Sequence, residues 1–206
     1  MPDIHYSSAL ENLLKAQGEE CLALRWAHDE AQRFCSRWDS RFQIPSIILS
    51  FLSGTGAVGG QALLPFEGGM ILVGFVSVFV GILGSVQSYL AYAKKAEAHR
   101  IAALNYERLH RELAIELALP RAERQPAEKL LEKLRAEIDT LNETAPLLPD
   151  TVKVRFKENF KELEGYNLPP SLNGLDPILI APEPVLKTPL ADAAPRPDIK
   201  IKVMEV

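Results

Sequence analysis

Charge is what this sequence lacks where it matters most. From Phe42 to Phe66 no side chain is charged, Glu67 interrupts once, and from Gly68 to Ala93 there is again none. A soluble surface helix of that length alternates charged and apolar faces, so a soluble enzyme is excluded as the leading reading. Each run is long enough to cross a hydrocarbon core, which takes about 20 apolar residues as a helix. Cysteine is nearly absent: Cys21 and Cys35 are the only two. They lie on one predicted helix, about 21 Å apart at 1.5 Å per residue, and cannot bridge each other. They read as small packing residues, with an interchain bridge across a symmetry axis as the alternative. Catalytic signatures are missing too. There is no phosphate-cradling GxxxxGK[ST], no nucleophile elbow, no CxxC and no HExxH. No catalytic, cofactor-binding or metal-binding residue is therefore assigned. The net charge of −4 over 206 residues, with no basic stripe away from the apolar runs, implies no nucleic-acid affinity. No small-molecule substrate is implied.

What is present is a pair of predicted spans, about 44–64 and 70–93, joined by a tight turn at 64–69. The second is strongly apolar. The first is only moderately so, carrying Ser46, Ser50, Ser53, Thr55, Gln61 and four glycines. Arg33, Arg37 and Arg41 precede the first span, Lys94, Lys95 and Arg100 follow the second, and the turn has neither Lys nor Arg. The positive-inside rule then predicts an integral, multi-pass protein with both termini cytoplasmic. Trp38, Phe42, Arg41, Lys94 and Lys95 are the expected interface anchors. The runs start too late to be a signal peptide.

At 100° per residue, Ser46, Ser50, Ser53, Ala57 and Gly60 share one stripe of the first span, with Gln61 at its edge. Gly74, Ser77, Gly81, Gly84, Ser85 and Ser88 share one face of the second. Small faces let helix backbones approach closely. One reading packs the two small faces on each other within one hairpin. The other has a stripe, above all the serine stripe of the first span, line a water-filled path in an oligomer.

The flanks are helical. Ser8 and Glu11 have capping-box spacing, and a heptad seam follows through Leu10, Leu14, Gln17, Cys21, Leu24, His28, Ala31, Cys35, Trp38 and Phe42. Pro45 predicts a kink or a fresh helix start. The stretch 94–119 lacks Pro and Gly and should continue the second span, packing antiparallel on the N-terminal helix through Ala102, Tyr106, Leu109, Leu113 and Leu117. His28 then falls opposite His99 or His110, as a packing or hydrogen-bonding pair. At about 39 Å against about 52 Å for 8–42, that partner is too short to cover Leu10, Leu13 and Leu14. Their expected cover is a neighbouring subunit, ahead of the next helix, 127–144, with its Leu130, Leu134, Ile138 and Leu141. A short helix with Val154, Phe156 and Phe160 is predicted over 151–163.

From residue 165 the composition shifts, and eight of the fifteen prolines lie between Pro169 and Pro197. This predicts two regions, a helical domain at 1–164 and a Pro-rich tail at 165–206. The alternation at 199–203 suits β-addition to a partner.

The layout resembles the SLATT domain, the two-transmembrane effector module associated with SMODS nucleotidyltransferases and SLOG sensors. The residues that carry the likeness are a Trp-containing helix before two spans with a minimal turn, Tyr-x-x-Leu-His-Arg-Glu-Leu at Tyr106–Leu113, and Glu143-Thr-Ala-Pro-Leu-Leu-Pro149 after the next helix. The resemblance implies a membrane effector in a nucleotide-signalled conflict or defence system that oligomerises and perforates a membrane. It supplies no catalytic residues. This sequence departs from the pattern in having no sensor or nucleotidyltransferase region and in carrying the Pro-rich tail. The expected partners are membrane lipid and further copies of the chain. The alternative is a non-conducting scaffold that presents its tail to a protein partner.

Overall fold

A computed structural model of the chain describes residues 5–63, 68–160 and 169–173, with the side chains of 61–63 and 173 outside the description. The described residues are all-α. The elements are α1 (Ser8–Leu63), α2 (Gly69–Leu90), α3 (Tyr92–Ala118), a 3₁₀ turn (Arg121–Glu123), α4 (Ala127–Thr144), α5 (Asp150–Asn159) and α6 (Pro170–Asn173). Two compact units are distinguished, 1–176 and 177–206, and the second holds no described residue. The turn around Glu67, the 199–203 alternation and most of the expected tail lie outside the described residues.

α1 is one long rod. Its N-cap is Ser7, not Ser8: the Leu10 amide donates to Ser7 Oγ at 3.2 Å. Glu11 is thereby free of the expected capping box and binds Arg121 and Arg124 instead. Pro45 neither ends nor restarts the helix. The only non-helical backbone in α1 is at Gly60, with φ 48° and ψ −135°, where an L side chain would be strained.

The lower half of α1, with α3 and α4, forms a three-helix stalk. Leu14 and Cys21 of α1 pack with Ala102, Tyr106, Leu109 and Leu113 of α3 and with Leu130, Leu134 and Leu141 of α4. Leu14 is completely buried and Leu10 packs against the same cluster. Leu10 and Leu14 are thus covered within the same chain, by the cluster that α3 and α4 form together, rather than by the expected neighbouring subunit. Leu13 alone stays open, at 52% exposed. The α3–α4 connection closes by charge. Arg124 donates to the carbonyls of Leu117 and Leu119 at the C-terminus of α3 and to Glu11, a favourable place for a cation. The guanidiniums of Arg121 and then Arg124 hold the Glu11 carboxyl down to about 2.

A second cluster lies on another face of α1. Ala23, Ala27 and Ala31 make a small-residue groove that receives Val152 and Phe156 of α5 and Leu172 of α6. Trp26 meets Phe156 and Phe160 edge-on at 5.4 and 5.1 Å. Val154, expected on the apolar face, is 56% exposed, and Val152 takes the buried place. Pro170–Asn173, inside the region expected to be tail, is folded with its Leu172 buried.

α2 does not run uninterrupted into α3. Ala91 between them is left-handed, with φ 49° and ψ 41°, and is the one positive-φ non-glycine among the described residues. The hydrogen bonds Ala91 N–H to Gln87 O (2.9 Å) and Lys95 N–H to Ala91 O (3.1 Å) keep the two helices joined across the break. The left-handed region costs an L residue roughly 1–2 kcal/mol. Ala91→Gly should therefore stabilise the protein by about 1 kcal/mol, opposite in sign to a glycine placed inside a helix. The thermal midpoint of the full chain in detergent checks this, and a lower midpoint would contradict the strain.

Candidate functional site

The upper half of α1 and all of α2 form an antiparallel hairpin. Both helices are long and apolar enough to cross a membrane. Their outer surface is large and oily: Ile44, Ile47, Ile48, Phe51, Leu52, Phe75, Val78, Phe79 and Ile82 are all more than half exposed.

The two small faces meet at Ser53 and Ser77, but most of the α2 face is exposed. On α1, Ser53 and Gly56 are buried and Ser46 and Gly60 half-buried, whereas Ser50 and Ala57 are exposed. On α2 the side turned to α1 carries Val73, Val76, Val80, Leu83 and Gln87, all half-buried. Branched side chains of α2 thus fill the shallow groove left by the small residues of α1. Gly74, Ser77, Gly81, Ser85 and Ser88 are exposed and Gly84 half-buried, and a Cβ added at Gly74, Gly81 or Gly84 would meet nothing within 4 Å. One contact joins the expected faces. Ser77 donates to the Val73 carbonyl (2.9 Å) and accepts from Ser53 Oγ at 2.5 Å. Ser85 likewise donates back to Gly81 O. Gln61, whose side chain is outside the description, is not placed.

At the foot of the hairpin the expected anchors come together around Tyr92. Trp38 and Phe42 each stack on its ring at 6.3 Å. Arg41 lies 5.0 Å over Trp38 and Lys95 5.6 Å over Tyr92. Lys94 and Lys95 are exposed beside them. Aromatic rings carrying cations suit a bilayer interface, where one end is apolar and the other wet. Below them Glu30, 9% exposed, accepts from Arg37 at 3.2 Å and from Arg155 of α5, with Arg33 at 3.7 Å. This ties α5 to the stalk.

Deeper in the stalk His28 faces His99. Their Nδ1 atoms are 2.9 Å apart and both residues are 2% exposed. His110 is not part of this pair; its Nδ1–H donates to Gly18 O at 2.8 Å. His28 stacks on Tyr106 at 5.5 Å, and the Tyr106 hydroxyl donates to Asn142 Oδ1 of α4 at 3.2 Å. Burial, then the neighbouring His99, pulls the His28 imidazole down to about 4, and burial also lowers His99. His28, Tyr106 and Asn142 line an open cavity of about 350 Å³, walled by Ala145–Leu148 of the Ala-Pro-x-x-Pro element and by Pro169–Ser171. Cys21 and Cys35 are both free and buried. Burial pushes the Cys21 thiol up to about 12 and raises that of Cys35, which makes these thiols unreactive. Among the described residues no group of three His, Cys, Asp or Glu side chains could hold a metal ion.

No family model, curated protein or solved structure matches this chain. Sequence reasoning missed Tyr92 and the inward valines of α2. Tyr92 is signalled by its place three residues before Lys95, at the end of the uncharged run. The valines were hidden because a 100° projection groups residues by face without saying which face meets the partner helix.

Proposed function

We propose that the chain is a two-span integral membrane effector of the SLATT type. It acts as a homo-oligomer whose assembled spans perforate a membrane in response to a nucleotide-coupled signal. In this reading both termini and the stalk are cytoplasmic, and only the turn at Glu67 reaches the far side. The observation that carries it is the uncovered stripe of α2, Gly74, Gly81, Ser85 and Ser88, exposed beside the Ser77 contact to α1 and the half-buried valines. Lipid tails gain little from glycine and serine, whereas a second helix gains close backbone approach. Hydroxyls on a span also suit a bundle interior or a wet cavity. The oily remainder of the hairpin faces lipid, and the aromatic–cation ring around Tyr92 supports the interface level.

The test is ion flux from liposomes loaded with purified full-length protein. Leak is expected, and Gly81→Leu should abolish it by forcing neighbouring copies apart, while Val78→Leu on a lipid-facing position should leave it unchanged. Liposomes that stay tight at high protein occupancy would favour the non-conducting scaffold that offers its tail to a protein partner.

A further inference from the structure

The His28–His99 contact places two titratable side chains face to face in the buried stalk seam. Two Nδ1 atoms 2.9 Å apart have room for one hydrogen between them. One ring must donate from Nδ1, and the other must carry its hydrogen on Nε2 and accept. A first added proton keeps the contact's geometry, because an imidazolium Nδ1–H still donates to a neutral Nδ1, although burial already penalises that charge. A second cannot: both rings then present N–H to each other, two like charges in a buried place. The contact is thus compatible with at most one positive charge.

We propose that this pair is an acid-operated latch between α1 and α3, closed when the rings share one hydrogen and released when both become imidazolium. Three features beyond the contact itself support it. The pair sits at the centre of the stalk: His28 stacks on Tyr106, and Tyr106 bonds Asn142, so α1, α3 and α4 all meet there. Protons have a route, since His28 lines the open cavity of about 350 Å³ and the stalk need not unfold to admit them. And the packing next to the pair is thin. Ala102 and Ala103, the buried α3 residues one turn on from His99, are small, and the α1 residue one turn on from His28, Ala31, packs toward α5 and α6 instead, so little apolar area opposes separation at that level.

The charged and titratable groups around the pair do not cancel the effect. From α1, Glu20 lines the same cavity and Cys21 stays a neutral thiol; from α5, Lys153 lines the cavity opposite in sign to Glu20. From α3, Tyr106 is neutral, with its hydroxyl raised by burial, and Lys95, one turn before His99, is exposed and lies over Tyr92. α4 contributes the uncharged Asn142 to this wall.

The sign follows from linkage. His28 titrates at about 4 when closed against a reference value of 6.5. The closed stalk therefore binds fewer protons than the open one between those values. Closure is complete above about pH 6.5 and weakens as pH falls toward 4. For His28 alone the closed-to-open ratio should drop on the order of 50-fold between pH 7 and pH 4.5, and more if His99 follows.

The experiment is amide hydrogen exchange on the full-length protein in detergent micelles from pH 7.5 to 4.5, corrected for the intrinsic pH dependence of exchange. Protection in residues 20–35 and 95–106 should fall by on the order of 50-fold or more, and the fall should be absent in a His28→Gln, His99→Gln variant, whose amides hydrogen-bond but do not titrate. An equal fall in that variant, or no fall in the unmodified protein, overturns the latch. Should the variant not fold, imidazole ¹⁵N shifts of the unmodified protein decide. Both rings must gain protons over the interval in which protection is lost, and loss of protection with both rings neutral overturns the proposal.

Discussion

Replacing Leu113 with Ala is expected to destabilise the stalk by about 3 kcal/mol, within the range of roughly 2–5 kcal/mol for buried Leu→Ala. Leu113 is 2% exposed and packs in the cluster that joins Leu14 of α1 to Leu130 and Leu134 of α4. α1 comes close at this level: a Cβ built on Gly18 would lie 3.7 Å from Leu113 Cβ. The rods are therefore held at a fixed distance and cannot collapse into the space left by the lost methyls. A small void of about 10 Å³ already lies beside Leu113, lined also by Leu109, Leu130 and Leu134, and the truncation would enlarge it. Ile115→Ala, two residues on but 58% exposed, should cost well under about 1 kcal/mol, as surface changes do. Denaturant unfolding followed by circular dichroism in detergent checks both, and a Leu113→Ala cost as small as that of Ile115→Ala would contradict the three-helix stalk.

Much of this fold is legible in the sequence because helix periodicity is strong wherever one face is buried. Leu14, Cys21, His28 and Cys35 keep the heptad and are all buried, and Leu130, Leu134 and Leu141 mark the inner face of α4. The pairing of His28 with a histidine of α3 follows from an antiparallel register alone. Other features are decided by contacts that no local pattern encodes. Pro45 sits in α1 without breaking it, at the loss of one intrahelical hydrogen bond. Ala91 breaks the second rod although alanine is a strong helix former; the preference is overridden where α2 packs on α1 above and α3 packs on it below. The groove for α5 is written as Ala23, Ala27 and Ala31, at four-residue spacing, but alanines on a helix read equally well as surface. In the hairpin, one span's small stripe and the other's valine ridge form the joint. That leaves most of the second small stripe, Gly74, Gly81, Ser85 and Ser88, outward, and two equivalent-looking stripes in the sequence thus have different surroundings.

The central claim is that residues 44–90 cross a bilayer as a hairpin with the stalk on one side and the turn on the other. It is tested most directly by impermeant thiol labelling of sealed cells. The native Cys21 and Cys35 are each 3% exposed, so the unmodified protein serves as the blank. A cysteine in place of Glu67 should react from outside in intact cells. One in place of Ser36, exposed on α1 below the aromatic ring, should react only after the membrane is opened. Labelling of the Ser36→Cys protein in intact cells, with or without reaction at position 67, would contradict the account.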